Sequence, residues 1–184
     1  MARPGDTKSR IQAVARELFL AKGLQKTSLQ DIADRLGITK PALYYHFSSR
    51  EELVRSIVEP LFQDGEAYVS RLEARGKIDV PDLLGEYFDF HQRHRDTVML
   101  LLREMISLTD LGLVDWAFTS RERLAVLLVG ENPTLEQAAR ATIALGGVAD
   151  CAVQFEDAPV EVLRDVAVRA GCDALGLPRE ASDR

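Results

Sequence analysis

Apolar residues recur at three- and four-residue spacing along almost the whole of this 184-residue chain. This spacing places apolar side chains on one face of an α-helix, whereas a half-buried strand requires strict alternation, and we find no convincing strand pattern. In the first segment the spacing is carried by Ile11, Val14, Ala15, Leu18 and Phe19. The chain is therefore expected to be all-α, with about nine helices.

Capping signals divide the front of the chain into short helices. Ser28 followed by Asp31 predicts a capping box at the start of a second helix, and Gly37 ends that helix. Thr39 is the expected cap of a third helix, with Pro41 in the first turn, where a missing N–H costs nothing. The second and third helices are therefore joined by a tight turn.

A longer fourth helix follows, and it contains a proline. Ser49 with Glu52 predicts a further capping box at its start, and Pro60 should bend it, because proline lacks the N–H that the helical ladder requires. Another capping box is predicted at Thr134 with Gln137. Five more helices are expected, at about residues 81–94, 96–109, 111–129, 134–155 and 159–175.

Charge is distributed unevenly along the chain. The formal net charge is −6, yet residues 1–58 hold ten lysines and arginines against six aspartates and glutamates. Residues 59–184 hold thirteen against twenty-three. A basic front and an acidic remainder indicate one face that attracts a polyanion. We expect two domains, a small helical module at 1–58 and a larger helical body at 59–184.

Several classes of protein are disfavoured. No apolar run approaches the roughly 20 residues that a membrane helix needs, and the start of the chain has no apolar stretch typical of a signal peptide. Cys151 and Cys172 lack metal-ligand spacing and are expected to be buried free thiols. No nucleophile–base pair, glycine-rich phosphate loop or metal cluster supports an enzyme. We expect a cytoplasmic protein that is not an enzyme, needs no cofactor and does not bind membranes.

The segment at residues 26–53, KTSLQDIADRLGITKPALYYHFSSREEL, carries the functional signal. Its two short helices are joined at Gly37, and apolar Ile38, Leu43 and Phe47 lie on the inner side of the second one. The outer side presents hydroxyls, a cation, a methyl group and aromatic rings, from Thr39, Lys40, Ala42, Tyr44, Tyr45 and His46. That mixture suits the major groove of double-stranded DNA, so the segment is predicted to be a helix-turn-helix.

This segment resembles the DNA-binding region of the tetracycline-repressor (TetR) family of bacterial regulators over roughly residues 9–58, most specifically in LGITKPALYYHFSSREEL. The resemblance implies that base edges and nearby backbone are contacted by Lys40, Pro41, Ala42 and Tyr44. It implies that phosphates are gripped by Tyr45, His46 and Arg50.

Two further hydroxyls lie close to these residues. Thr27 and Ser28 stand at the start of the second helix, where their hydroxyls and free N–H groups suit a phosphate oxygen. The alternative for Tyr44 and Tyr45 is that their rings pack within the protein, and for Arg50 that it is a solvated residue at a helix start.

A single module of this size makes few contacts, so we expect a homodimer that reads two half-sites in successive major grooves. Small residues line one side of segment 134–155, at Ala139, Ile143, Gly146, Gly147 and Asp150. An apolar stripe follows along segment 159–175, at Val162, Leu163, Val166, Ala170 and Ala174. The family forms its dimer from two such helices of each chain. The alternative is that both stripes pack internally.

Regulators of this family usually bind a small molecule inside the helical body, which tilts the fourth helix and changes the spacing of the recognition helices. Pro60 lies in that helix, either as part of the switch or as a static kink. Candidate effector contacts are polar or aromatic groups on otherwise apolar helices, namely Tyr68, Tyr87, Phe90, His91, Arg103, Met105, Trp116, Phe118 and Arg121. This mixture indicates an apolar or aromatic ligand with one anionic group.

His91 and His94 also have the spacing of half a metal site, with Asp89 and Asp96 nearby, although two surface histidines are the commoner arrangement. We therefore predict no metal. The function expected from these features is a dimeric, sequence-specific transcriptional regulator, a repressor that a small-molecule effector releases from a palindromic operator. The alternative is a ligand-independent, nucleoid-type protein that binds DNA without sequence preference.

Overall fold

The computed structural model describes residues 4–76, 78–104 and 113–178, and within them it contains nine helices and no strand. The helices are α1 (Pro4–Lys22), α2 (Leu29–Leu36), α3 (Lys40–His46), α4 (Arg50–Arg75), α5 (Val80–Arg93), α6 (Arg95–Arg103), α7 (Leu113–Val129), α8 (Leu135–Gln154) and α9 (Val160–Leu175). The all-α prediction is confirmed. The predicted end of the sixth helix near residue 109 and the break at Gly112 lie outside the described residues.

The chain forms two compact units. The first comprises Met1–Gln63 and Asp96–Leu113, and the second comprises Asp64–Arg95 and Val114–Arg184. Helix α4 contributes to both units, and α6 contributes Leu100 to the core of the first. The predicted domain boundary between residues 58 and 59 stays a prediction.

The first unit has its core beneath α2 and α3. Fully or almost fully buried side chains meet there, namely Ile11, Phe19, Ile32, Ala33, Leu43, Phe47, Leu53, Ile57 and Leu100. Burying a large apolar side chain stabilises the fold by roughly 1.5–3 kcal/mol. The spacing of these apolar residues thus fixes which side of α3 turns inward.

The caps of α2 and α3 form as the sequence predicts. The Ser28 N–H donates to Asp31 Oδ2 at 2.8 Å, and the Asp31 N–H donates to Ser28 Oγ at 3.1 Å. Gly37 adopts the left-handed conformation with φ 66°, which other residues adopt at a cost, and this ends α2. Thr39 Oγ1 accepts from the Ala42 N–H at 3.4 Å. The predicted capping box at Thr134 and Gln137 also forms.

The predicted capping box at the start of α4 is only half correct. The Glu52 N–H donates to Ser49 Oγ at 3.1 Å, as expected. The Glu52 carboxylate, however, accepts from the backbone N–H of Ser48 at 2.7 Å and from its hydroxyl at 2.6 Å. Ser48 offers two donors where the Ser49 backbone offers one, so the carboxylate extends one residue further towards the N-terminus.

Helix α4 continues through Pro60, and a side chain of α1 takes up the carbonyl that the proline leaves unused. The N–H of residue 60 would normally bond to the carbonyl of Ser56, but proline has none. The Gln12 side-chain amide instead donates to Ser56 O at 3.2 Å and contacts Ser56 Oγ at 3.0 Å. The proline thereby creates an acceptor that joins α4 to α1. The bend predicted at Pro60 stays a prediction.

The second unit has its core between α5, α8 and α9, with contributions from α4 and α7. Its buried apolar residues include Leu72, Leu83, Leu84, Phe88, Leu124, Leu145, Val148 and Ala167. Across residues 4–76, 78–104 and 113–178, no helix is both long and apolar enough to cross a membrane.

Candidate nucleic-acid interface and helical body

Helix α3 separates an inward side from an outward side. Leu43 and Phe47 are completely or almost completely buried, whereas Tyr44 is 45% exposed and Tyr45 is 85% exposed. Because exposing a tyrosine ring to water gains nothing for the fold, the arrangement favours a binding role for both rings. The alternative of rings packed within the protein does not fit Tyr45.

The other predicted contacts of α3 share its outward side. Thr39, Pro41 and Ala42 are exposed, and the Lys40 Nζ lies 5.8 Å from the centroid of the Tyr44 ring. A cation–π contact of this kind keeps the ammonium on the outer surface without neutralising it. His46 is only partly exposed, and its ring meets that of Tyr45 edge-on at 5.3 Å.

The predicted role of the Thr27 hydroxyl is wrong. Thr27 is 1% exposed, and its Oγ1 donates to Gly23 O at 2.9 Å and to Leu18 O at 3.3 Å. These bonds close the loop between α1 and α2. In sequence, a hydroxyl followed by a capping serine is equally suited to phosphate, and only burial reveals that it faces the core.

Ser28 is exposed, yet its donors are already used within the protein. Besides the capping box, the Ser28 Oγ donates to Asp31 Oδ2 at 2.6 Å. These hydrogen bonds from Ser28 lower the pKa of Asp31, so a carboxylate stands at the N-terminus of α2. A phosphate would have to compete with this carboxylate, and the contact of Ser28 with DNA stays a prediction.

Arg50 is partly buried at the start of α4. Its Nη1 donates to Leu24 O at 3.0 Å, which fixes the guanidinium against the loop between α1 and α2. A guanidinium has five N–H donors, so this bond leaves others for a phosphate. Arg50 is therefore not simply a solvated residue.

Most of the predicted dimer residues lie on an exposed, largely apolar face of α8 and α9. Ile143 is 64% exposed, Val162 60% and Val166 47%, and Ala139, Gly147, Asp150 and Ala170 are also exposed. Gly146 and Ala174 are partly buried. Leu163 is only 8% exposed and belongs to the core of the second unit, so its assignment to the dimer surface is wrong. Its neighbour Val162 is carried outward instead, because successive helical residues differ by about 100°.

Four of the predicted effector residues, Tyr68, Tyr87, Phe90 and His91, come together with His94 in an aromatic cluster. The rings of Tyr68 and Phe90 are almost parallel, with centroids 5.8 Å apart. Tyr87 meets His91 at 4.3 Å, and Phe90 meets His94 at 5.0 Å. The Tyr68 hydroxyl donates to Leu83 O at 3.0 Å. The cluster is therefore part of the fold as well as a candidate ligand surface.

Burial shifts the pKa values of two residues in the aromatic cluster, Tyr87 and His91. Burial raises the pKa of Tyr87, and the neighbouring Arg121, which also hydrogen-bonds to it, acts in the opposite direction. Burial, together with the nearby charge of Arg121, lowers the pKa of His91 to about 4, although the His91 Nδ1 contacts Tyr87 O at 2.9 Å. His91 is therefore neutral at pH 7.

The remaining effector candidates have different surroundings. The Trp116 ring packs on the backbone of α4 at Gly65, where an added Cβ would lie 2.8 Å from Trp116 Cη2. Phe118 is 65% exposed and does not join the aromatic cluster. Arg103 belongs to the first unit, where its Nη1 donates to Leu20 O at 3.0 Å. Met105 lies outside the described residues.

Both histidines of the predicted pair, His91 and His94, contact other groups of the protein. His94 Nε2 lies 3.0 Å from Asp64 Oδ2, and His91 turns to the backbone of its own helix. In the described part of the chain, no group of three or more histidine, cysteine, aspartate or glutamate side chains is placed to hold a metal ion.

Comparison with known proteins places these features in a family context. Residues 11–57 match the sequence profile of the tetR family of bacterial regulatory proteins. The HTH-type transcriptional regulator TtgR of Pseudomonas putida is 30% identical over 74 residues, which are 40% of this chain and 35% of TtgR. The chain matches about a third of the length of its first curated relatives.

Solved structures resemble the chain over almost its whole length. A transcriptional regulator (TerR/AcrR family) of Aquifex aeolicus VF5 is 25% identical and has a TM-score of 0.71, covering 89% of this chain and 96% of that one. The ketosteroid transcriptional regulator KstR2 of Mycobacterium tuberculosis is 19% identical with a TM-score of 0.77, covering 97% and 98%. The second likeness concerns the fold alone.

Proposed function

Because the chain belongs to the TetR family of bacterial transcriptional regulators, we propose that it is a dimeric repressor that a small-molecule effector releases from a palindromic operator. The outward side of α3 carries this proposal. It combines an un-neutralised lysine, two exposed tyrosines and an alanine methyl on a helix that is fixed to the core by Leu43 and Phe47. Such a face offers both hydrogen bonds and apolar contacts to base edges.

Footprinting of the DNA upstream of the protein's own gene tests the proposal. We expect a protected palindrome at low salt, and loss of specific protection in Tyr44→Ala. The control is Phe118→Ala, which removes an exposed aromatic ring from the second unit and should leave protection intact. Protection without sequence preference would instead favour the nucleoid-type alternative.

The dimer is supported by the exposed apolar face of α8 and α9. Among the described residues, no neighbouring atom lies within 4 Å of a Cβ built on Gly146 or Gly147, so a partner helix has room to approach there. We expect Ile143→Glu to yield a monomer in sedimentation velocity and to lose operator binding. Val126→Glu on α7 introduces the same charge at a residue that is 43% exposed, and should leave the dimer intact. A dimer that survives Ile143→Glu would contradict this assignment.

The effector is proposed to bind against the aromatic cluster of the second unit. A ligand that prefers the DNA-incompetent state by about a hundredfold shifts the equilibrium by about 2.7 kcal/mol, which is enough to reduce operator occupancy substantially. The relatives are regulators rather than enzymes, and we propose no catalytic activity. We expect the protein to act in the cytoplasm, where its operator lies.

A further inference from the structure

Among the described arginines of the second unit, those that are partly buried are paired with carboxylates, with one exception. Arg95, Arg123, Arg140 and Arg164 each lie within 3.2 Å of a carboxylate oxygen. Arg121, also partly buried, makes no ion pair with any carboxylate among the described residues. Since the second part of the chain is strongly acidic, carboxylates are abundant there, and an unpaired arginine is the less expected arrangement.

Arg123 lies on α7, the same helix as Arg121, and its guanidinium is paired with two carboxylates. Its Nη1 lies 2.8 Å from Glu66 Oε2, and its Nη2 lies 2.7 Å from Glu73 Oε2. One cation of α7 therefore binds two carboxylates of α4. Arg121, two residues earlier, has no such partner in the described part of the chain. Partial desolvation of a charge is unfavourable unless a counter-charge is supplied, so Arg121 lacks what the fold provides for Arg123.

The surroundings of Arg121 are aromatic and neutral. It hydrogen-bonds to Tyr87, which is 5% exposed, and its charge acts on His91. Asp150 is close enough to influence Tyr87, but it is exposed and forms no ion pair with Arg121. The site thus presents one un-neutralised cation beside the rings of the aromatic cluster.

We propose that the second unit binds an organic anion whose carboxylate pairs with Arg121 and whose apolar body lies against the aromatic cluster. This inference rests on the proposed effector role of the second unit. A planar guanidinium binds a carboxylate through two parallel hydrogen bonds, and the Tyr87 hydroxyl adds a third polar group. The rings of the aromatic cluster supply the nonpolar surface that the apolar body of the ligand would contact. A cationic ligand is disfavoured by repulsion from Arg121.

Isothermal titration calorimetry without DNA tests the proposal with matched probes. Two carboxylates, 2-naphthoate and decanoate, are compared with their neutral amides and with 2-naphthylmethylammonium. We expect at least one carboxylate to bind tenfold or more tightly than its amide. Arg121→Gln should abolish that preference, and Arg121→Lys should retain part of it. Arg93→Gln removes an exposed arginine of α5 and should leave the preference unchanged.

Stability distinguishes a ligand-binding arginine from a merely structural one. Arg121→Met removes an unpaired cation, so the ligand-free variant should melt at the same temperature as the wild type or higher. Arg123→Met leaves two carboxylates without their partner and should melt lower. Equal affinity for carboxylate and amide, tighter binding of the ammonium probe, a preference that persists in Arg121→Gln, or no carboxylate binding at millimolar concentration would each overturn the proposal.

Operator binding is measured in a separate experiment, so failure of the anion-site proposal can be distinguished from failure of the repressor proposal. If the protein does not bind duplex DNA but the carboxylate preference depends on Arg121, the regulatory function fails and the anion site stands. If operator binding is intact and none of the carboxylates binds, the repressor proposal stands and the anion site fails. When both hold, the bound carboxylate should lower operator affinity in the wild type and not in Arg121→Gln.

Discussion

The two compact units use charge in opposite ways. Among the described residues, the first unit contains one arginine–carboxylate ion pair, between Arg35 and Glu17, whereas the second contains seven. In the first unit, Lys40 lies over a tyrosine ring and keeps its charge available. In the second, most of the ion pairs join one helix to another. The scarcity of ion pairs in the described part of the first unit leaves its cations available to a partner, as the proposed binding of DNA requires.

The sharpest division lies within α3, where neighbouring residues serve folding and binding separately. Leu43→Ala empties a completely buried position and should lower the free energy of unfolding by about 3 kcal/mol. Tyr45→Ala removes a ring that is 85% exposed, so stability should change by less than about 0.5 kcal/mol while DNA affinity falls. Urea unfolding and DNA titration measure both. A large loss of stability in Tyr45→Ala would contradict the assignment of Tyr45 to binding rather than folding.

Close packing in the second unit is tested at Gly65. A methyl group there would overlap the Trp116 ring, so Gly65→Ala should destabilise the protein by about 1–3 kcal/mol. Thr119→Ala is the control, because Thr119 is exposed within α7 and alanine favours helix. Denaturant unfolding of the two variants compares them. An unaffected Gly65→Ala would contradict the packing of Trp116 on α4.

The second unit also holds a histidine in its neutral form, which makes stability depend on pH. The pKa of His91 is about 4 in the fold and about 6.5 in the unfolded chain, so the unfolded state takes up the proton first as pH falls. The contribution of the neutral His91 to stability is therefore present above about pH 6.5 and is lost as the pH falls towards 4. Lowering the pH from 7 to 5 should reduce the free energy of unfolding by about 1–2 kcal/mol. His91→Gln should lose less over the same interval in pH-dependent urea unfolding. Equal losses would contradict the buried neutral imidazole.

A smaller effect is expected where Gln12 replaces the bond that Pro60 cannot make. Gln12→Ala leaves the carbonyl of Ser56 without its side-chain donor and should cost about 1 kcal/mol. In the Pro60→Ala background the backbone N–H returns, so the same substitution should cost clearly less. A double-mutant cycle by thermal unfolding measures the coupling. Additive losses would show that proline and glutamine act independently.

The arrangement of α1 to α4 follows from local signals, because apolar spacing, serine or threonine caps and Gly37 each act within a few residues. The inward side of α3 was predictable for the same reason. The buried hydroxyl of Thr27, the unexpected acceptor of Glu52 and the core position of Leu163 were not, since each depends on contacts that only the folded chain brings together. Pro60 indicates in sequence that the carbonyl of Ser56 lacks its usual backbone donor. The sequence does not reveal that the donor is Gln12, because the two residues lie 44 positions apart.

The most direct test of un-neutralised charge in the first unit is the salt dependence of operator binding. Each lysine or arginine that neutralises a phosphate contributes about one unit to the slope of the logarithm of affinity against the logarithm of salt concentration. Lys40 is expected to reach the DNA backbone next to the base edges, so Lys40→Ala should reduce the magnitude of that slope by about one. Arg71→Ala, whose cation is paired with Glu86, should leave it unchanged. A slope that is identical in the wild type and Lys40→Ala, or that falls equally in Arg71→Ala, would contradict the account.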